Sequence, residues 1–322
     1  MNYRHLGKTG LQVSEICLGN WQTHGGQLNA SASAKIVREA VKRGINFFDT
    51  ADIYADGAAE EVLGRAIRGM SRQEIVIATK CWGLVRNKGI TAKGHSRKHV
   101  FEAMDASLRR LKLDHVDLYQ LHTYDKDTPL EETLGALNDL VRQGKTIYIG
   151  CSNYKPKLMS EAYAICKRHG WAWFVSNQPQ YHLLDRSVER GLTQICSRQG
   201  VGLIPYCPQA QGFLTGKYRS AKDFNKGTRF KQSEYLRKLY ATPANFARVD
   251  KLCAMAKQVG CTPGQLALRW LLRKEVVSSA IVGARTVQQI RESAATSDVK
   301  VSNAQLEKLS QIFPLKAAKK SG

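Results

Sequence analysis

Apolar residues along the chain gather into short runs separated by longer stretches of helical period. The runs are Ile16–Leu18, Asn46–Asp49, Ile75–Lys80, Val116–Leu121, Thr146–Cys151, Phe174–Gln178, Gly202–Tyr206 and Ser279–Val282. Between them lie amphipathic segments at Ala34–Arg43, Ala58–Arg68, Arg97–Leu113, Leu130–Gln143, Lys157–His169, Ser187–Arg198, Phe246–Val259 and Val287–Thr296. Within Arg97–Leu113, the residues Val100, Met104, Leu108 and Leu111 fall on one stripe, the mark of a helix with one buried face. Pro263–Leu272 adds a helix with Thr262 as N-cap and proline at its first position.

Eight strand–helix units predict a parallel sheet covered by helices, and eight units close naturally into a (β/α)8 TIM barrel, an α/β fold. About 250 residues suffice for such a barrel, and this chain has 322. The surplus has a place. A hairpin fits Tyr3–Leu6 and Gln12–Ser14 around Gly7-Lys8-Thr9-Gly10, a long loop follows the seventh strand, and an extra C-terminal helix fits Asn303–Phe313. No composition break marks a linker, so residues 1–322 are expected to form one domain. A doubly wound sheet is the alternative, but its glycine fingerprint after the first strand is absent.

Composition narrows the class. With 43% apolar and 24% charged residues, collagen-like and disordered readings fail. No apolar run approaches the ~20 residues of a membrane span, mean hydropathy is −0.36, and the opening residues lack a secretory apolar stretch. A cytoplasmic protein without membrane insertion is expected. The net charge of +22 suggests either a polyanion partner or a diffusely basic surface. The basic residues are spread along the chain, and no nucleic-acid motif accompanies them, which favours the diffuse reading and no nucleic-acid partner. Arg86–Lys98 and Lys217–Lys238 are the richest segments.

Eight cysteines include no C-x-x-C pair, which argues against a disulfide framework or a zinc site. No metal is expected: the strand ends offer only Asp49 and His122, while His95 and His99 sit at a basic helix start and are expected to be solvated.

In a barrel of this kind the chemistry sits where the strands end. The second run ends in Asp49 and the third in Lys80, charged residues that need partners when buried. If the two strands are neighbours, the charges neutralise each other, and Tyr54, five residues past Asp49, can fold back over them. A phenol titrates near 10, but a cation about 4 Å away contributes about 4 kcal/mol at an effective dielectric of about 20. Lys80 is therefore expected to pull Tyr54 down toward a useful proton donor, with His122, ending the fourth run, bonded to the oxygen being protonated.

The opening Tyr3-Arg4-His5-Leu6-Gly7-Lys8-Thr9-Gly10-Leu11, the stretch Asn46-Phe47-Phe48-Asp49-Thr50-Ala51 and the set Asp49, Tyr54, Lys80 and His122 resemble the aldo-keto reductases over nearly the whole chain. Gly19-Asn20-Trp21 with Gly25-Gly26, and Gly94-His95-Ser96-Arg97-Lys98-His99, resemble the branch containing potassium-channel β-subunits and their microbial relatives. Those subunits carry asparagine where this chain has His122. The resemblance implies NADP(H) as cofactor, a small carbonyl compound as substrate, and Asp49, Tyr54, Lys80 and His122 as the catalytic tetrad. It implies that Ser152, Asn153 and Gln178 hold the nicotinamide carboxamide and that Tyr206 stacks on the ring. Pro208, Gln209 and Gln211 begin the pyrophosphate loop, Lys217 and Arg229 are phosphate ligands, and Gly283, Arg285, Gln289 and Glu292 meet the adenosine end. Trp21 is placed with both cofactor and substrate. Trp82 and Tyr124, with Tyr54 and His122, complete the substrate wall. Gln209 stands where the family usually has leucine, and Ser293 where it has asparagine. The branch is often multimeric, so a homo-oligomer is compatible with it. A binding subunit that holds NADP(H) with little turnover is the alternative function.

Overall fold

The computed structural model describes residues 1–83, 85, 89–224 and 229–315, the side chains of Arg229 and Gln232 excepted. Strands β1 (Tyr3–His5) and β2 (Gln12–Ser14) form the expected antiparallel hairpin. The eight remaining strands are β3 (Ile16–Gly19), β4 (Phe47–Asp49), β5 (Val76–Cys81), β6 (Val116–Leu121), β7 (Thr146–Ser152), β8 (Phe174–Gln178), β9 (Gly202–Leu203) and β10 (Ala280–Val282). They pair in parallel in the order β10-β3-β4-β5-β6-β7-β8-β9. The ring closes between its two ends: the Leu203 amide donates to the Val276 carbonyl at 2.6 Å, Ser278 to Leu203 at 2.8 Å and Ile281 to Pro205 at 2.9 Å. The fold is a (β/α)8 barrel.

Strand alternation sorts side chains into two cores. Ile77, Tyr119 and Ile149 face outward into the large cluster shared with the helices. Phe47, Val76, Ala78, Leu118, Ile204 and Ile281 face inward, together with Leu6 and Val13 of the hairpin. The hairpin is thus a stopper whose apolar side chains fill the barrel's N-terminal end. Gly7 makes that seat: it holds φ +60°, and a Cβ there would lie 2.4 Å from the Gly200 carbonyl oxygen and 2.7 Å from that of Val175.

The helices follow the predicted order: α1 (Ala30–Lys42), α2 (Ala58–Ala66), α3 (Arg97–Leu111), α4 (Leu130–Arg142), α5 (Pro156–His169), α6 (Leu192–Gln199), α7 (Arg229–Gln232), α8 (Glu234–Tyr240), α9 (Pro243–Val259), α10 (Pro263–Leu272), α11 (Val287–Ala294) and α12 (Asn303–Ile312). Thr262 caps α10 as expected, in a reciprocal box with Gln265. Other boundaries moved for identifiable reasons. α1 begins four residues early because the Asn29 side chain accepts from the Ala32 amide. α9 begins at Pro243 because Thr242 caps it. The segment Ser187–Arg198 is not one helix: Gly191 at φ +109° separates a short turn at Ser187–Glu189 from α6. The long loop after β9 is also not bare, since α7 and α8 pack through Phe213, Tyr218, Phe224, Phe230 and Tyr240, whose ring centroids lie 5.0–6.4 Å apart.

Close packing of α2 on α3 yields a direct test. A Cβ at Gly64 would stand 2.3 Å from the Leu111 carbonyl oxygen, a backbone atom that cannot swing aside. Alanine in a helix gains about 1 kcal/mol over glycine, but overpacking costs about 1–3 kcal/mol. Gly64→Ala is therefore expected to lower the urea midpoint of unfolding, whereas a gain in stability would show that the helices separate freely.

Candidate active site

The inward residues one layer above the apolar barrel core are polar. Asp49 on β4, Lys80 on β5, Gln120 on β6 and Gln178 on β8 converge at the C-terminal ends of their strands, and each is at most 2% exposed. Lys80 Nζ donates to Asp49 Oδ1 at 2.6 Å, to the Thr50 carbonyl at 2.7 Å and to the Tyr54 hydroxyl at 3.1 Å. An ammonium has three N–H donors, and all three are used. The other Asp49 oxygen accepts from Gln178 Nε2 at 2.9 Å and Gln120 Nε2 at 3.2 Å. The charge pair is thus neutralised and fully hydrogen-bonded, the condition under which burial is tolerated. Burial alone would depress the Lys80 pKa, but Asp49 and Tyr54 outweigh it and hold the group at about 12.

Tyr54 is brought back over this pair by a backbone reversal. Ala55, Asp56 and Gly57 all take positive φ, at 50°, 54° and 86°. The expectation that Lys80 lowers the Tyr54 pKa does not hold: burial, with Asp49 opposing Lys80, leaves the phenol above its ordinary value. Its proton is therefore in place at neutral pH. The His122 ring meets Tyr54 edge-on at 5.5 Å, and burial followed by the nearby Lys80 charge holds His122 down at about 3. It stays uncharged, and its Nδ1 has no partner among the described residues.

The predicted cofactor residues ring the same mouth. Ser152 Oγ donates to the Gln178 carbonyl at 2.7 Å, and Asn153 Nδ2 donates to Ser152 Oγ at 2.9 Å. The Tyr206 hydroxyl donates to Asn153 Oδ1 at 3.1 Å. Gln178 links this ring to the charge pair below, since its Nε2 donates to Asp49. Pro208 is buried, and Gln211 donates to Cys207 Sγ at 2.9 Å. A Cβ on Gly264 would lie 2.7 Å from Gln209 Nε2, so Gln209 rests on the first turn of α10. Lys217 folds back over Gly212 and the Tyr218 ring. Arg229 opens α7, but its side chain lies outside the described set. At the far rim, Gln289 Oε1 accepts from the Arg285 amide at 2.7 Å, and Glu292 Oε1 accepts from Thr262 Oγ1 at 2.7 Å. A Cβ on Gly283 would meet nothing within 4 Å, so packing within the chain does not demand glycine there.

Beside Tyr54 a cavity of about 380 Å³ is lined by Trp21, Gln22, Gly26, Gln27, Ile53, Tyr54 and Ala55. Trp21 is 40% exposed and Tyr124 41%. Trp82 lies off this cavity, edge-on to His95 at 5.2 Å.

Four residues stand differently in the structure from what the sequence implies. His95 and His99 are buried, not solvated, because His95 turns under β5, where its Nε2 lies 2.9 Å from the Cys81 carbonyl oxygen. Gln120 sits in the middle of an apolar run, and only strand parity with Lys80 marks it as inward. Asp52 was overlooked: its carboxylate accepts from the amides of Ile53 at 2.7 Å, Trp82 at 3.0 Å and Gly83 at 3.3 Å, tying the β4 and β5 loops together. It also lies with Cys81 and His99 in a buried group whose ligand-capable atoms are within 4.8 Å of one another, so Asp49 and His122 are not the only such residues near the strand ends.

Burial raises the Asp52 carboxyl to about 7, against the backbone amides that lower it. Between its ordinary value and about pH 7 the folded chain holds a proton that the unfolded chain has released. Stability from this group therefore falls as pH rises through that window and levels off above it. Buried His24, His95 and His122, held down at about 4, 4 and 3, act in the opposite sense. The decline is therefore read as the difference in denaturation midpoint between wild type and Asp52→Asn, which should shift against wild type as pH rises from about 4 to about 8; a difference that stays constant with pH would assign the effect elsewhere.

The sequence profile described as the Aldo/keto reductase family matches residues 15–313. The chain is also 38% identical over 310 residues to an Arabidopsis thaliana protein named as a probable voltage-gated potassium channel subunit beta, covering 93% of this chain and 92% of that one. The chain belongs to the aldo/keto reductase family.

Proposed function

We propose that the protein, acting as one barrel domain over residues 1–322, reduces an aldehyde or ketone to an alcohol with NADPH as the reductant. The observation that carries this reading is the Tyr54 hydroxyl, still protonated, held 3.1 Å from a buried Lys80 ammonium that Asp49 anchors at 2.6 Å.

The residues at the mouth suit a dinucleotide. The Tyr206 ring, half-buried beside Asn153, offers an apolar face to a nicotinamide, and Ser152, Asn153 and Gln178 supply amide and hydroxyl partners. Lys217 lies across the loop from Pro208 through Gln211. The open space over Gly283, the exposed Arg285 and the Thr286-capped start of α11 fit a phosphate-bearing adenosine, with Gln289 and Glu292 already fixed by Arg285 and Thr262. Trp21, here counted with both ligands, walls the cavity that a small carbonyl compound would enter.

When bound, the reduced nicotinamide supplies a hydride to the carbonyl carbon. Tyr54 gives its proton to the carbonyl oxygen. A raised phenol pKa suits this, because the proton leaves only for a stronger base, such as the developing alkoxide. Lys80 neutralises the phenolate left behind, and Asp49, steadied by Gln120 and Gln178, keeps the ammonium from following the proton. His122, uncharged, bonds to the carbonyl oxygen and sets its approach to Tyr54.

Tyr54→Phe removes only the acidic oxygen. NADPH binding, followed by fluorescence titration, should persist while aldehyde turnover falls by about 10²–10⁴-fold or more; retained turnover would refute the assigned acid. The cationic rim favours a 2′-phosphate, so kcat/KM for NADPH should exceed that for NADH, and equal values would remove that preference.

The channel-subunit name of the Arabidopsis relative supports a second reading, an NADP(H)-holding regulatory subunit. His122, where the resemblance places asparagine in channel subunits, favours the reductase. Copurification with a membrane protein together with negligible turnover would favour the subunit.

A further inference from the structure

Outside the barrel mouth, one surface concentrates charge without compensating it. Arg65 and Arg68 at the C-terminal end of α2, and Arg109, Arg110 and Lys112 at the C-terminal end of α3, line a cavity of about 380 Å³ with Ala106 and a single carboxylate, Glu61. Both helices return the chain to the base of the following strand, so these residues lie toward the end of the barrel opposite Tyr54. Arg110 is held internally, donating to Glu60 Oε2 at 2.6 Å and to Ser107 Oγ at 3.2 Å. Arg65, Arg68 and Arg109 are exposed and, like the exposed Lys112, make no ion pair or side-chain hydrogen bond among the described residues.

Several cations elsewhere are paired: Arg43 with Glu39, Arg97 with Asp139, Lys145 with Asp105, and Arg168 with Glu131. Those unpaired among the described residues, such as Lys35, Lys42, Lys157 and Lys167, line neither of the two cavities described, so what sets this groove apart is four unpaired cations lining one cavity. Compensation of helix dipoles accounts for Arg65 and Arg109, which stand in last turns, but Arg68 and Lys112 lie beyond them. Lys112 also holds φ +60°, and it is the one non-glycine residue at positive φ outside the mouth loops among the described residues. Glycine is favoured in that conformation at a helix end, so a cation stands at the groove rim against a backbone preference. Three guanidinium forks suit phosphate oxygens in pairs, and an ammonium adds a point charge.

We propose that the α2–α3 groove binds a short polyphosphate chain, an anion of three to four charges, at a site separate from the carbonyl-reducing mouth. The groove walls bring its four uncompensated cations to one small volume. Arg110, clamped by Glu60, keeps the wall in place rather than serving as a primary ligand.

The test uses inorganic tripolyphosphate titrated calorimetrically into the full chain. Wild type should show a saturable site whose affinity falls steeply between about 50 and 200 mM salt. The variant Arg65→Gln/Arg68→Gln/Arg109→Gln/Lys112→Gln should lose that site, weakening it by more than about tenfold. A charge-matched control, Lys35→Gln/Lys42→Gln/Lys157→Gln/Lys167→Gln, removes four exposed lysines elsewhere and should keep it. Circular dichroism and thermal unfolding verify that both variants fold; if the quadruple variant does not, Arg68→Gln/Lys112→Gln, both outside helical turns, replaces it. Equal weakening in groove and control variants would reduce the effect to net charge and overturn the proposal. So would absence of a saturable site in wild type. Groove-dependent binding of a single-stranded oligonucleotide, with none of tripolyphosphate, would overturn it in favour of nucleic acid.

Discussion

A lysine with no exposed surface, facing the inside of a barrel, sets the terms for everything around it. Excluded from water, its ammonium needs a counter-charge and three acceptors, and the strand ends supply them through Asp49, Thr50 and Tyr54. Breaking a buried pair of this kind costs about 3–5 kcal/mol because the remaining charge is stranded. The same arrangement ties chemistry to stability, since the groups that neutralise Lys80 are those that fix the phenol. Asp49 in turn depends on two glutamine amides from distant strands. Curvature of the sheet, more than any local motif, is what places them together.

Backbone strain is concentrated at the same end. Of the described non-glycine residues at positive φ, Gln22, Ala55, Asp56, Asn153, Cys207, Ala210 and Gln211 all belong to loops at the C-terminal ends of strands, and only Lys112 among them lies elsewhere. Conformations of this kind persist where surrounding contacts over-determine them. Here those contacts are visible: the Asn153 side chain is bonded to Ser152 and Tyr206, and the Gln211 side chain to Cys207 Sγ. The base of the barrel uses the opposite material, an apolar stopper built from Leu6, Val13 and their neighbours.

Much of this was legible in the residue order. Apolar runs marked the eight barrel strands because strands buried on both faces leave a continuous apolar trace. Asp49 and Lys80 were legible because charge at the end of such a run requires a partner. Gln120 was not, because a neutral amide inside Val116–Leu121 carries no signal until the strand's inward face is known. His95 and His99 were misread for a related reason: a histidine among lysines and arginines looks solvated, and only the packing of α3 under β5 buries it. The direction of the Tyr54 shift is not legible in the residue order, because sequence reveals the neighbouring cation but not the depth of burial. The basic groove is not legible in the sequence because its charges come from two helices some forty residues apart.

The ring of strands is sealed by β10 lying between β3 and the β9 end. During synthesis on a ribosome, residues 280–282 emerge after more than four-fifths of the chain, so β3 waits without one neighbour while all the intervening units are made. Pairing across so long a separation carries the largest loop-closure entropy of any strand pair in the barrel. The nascent chain can collect every tetrad side chain yet possess no enclosed vessel for them until that last clasp shuts. Closure of the barrel thus rests on the last of its strands to be made.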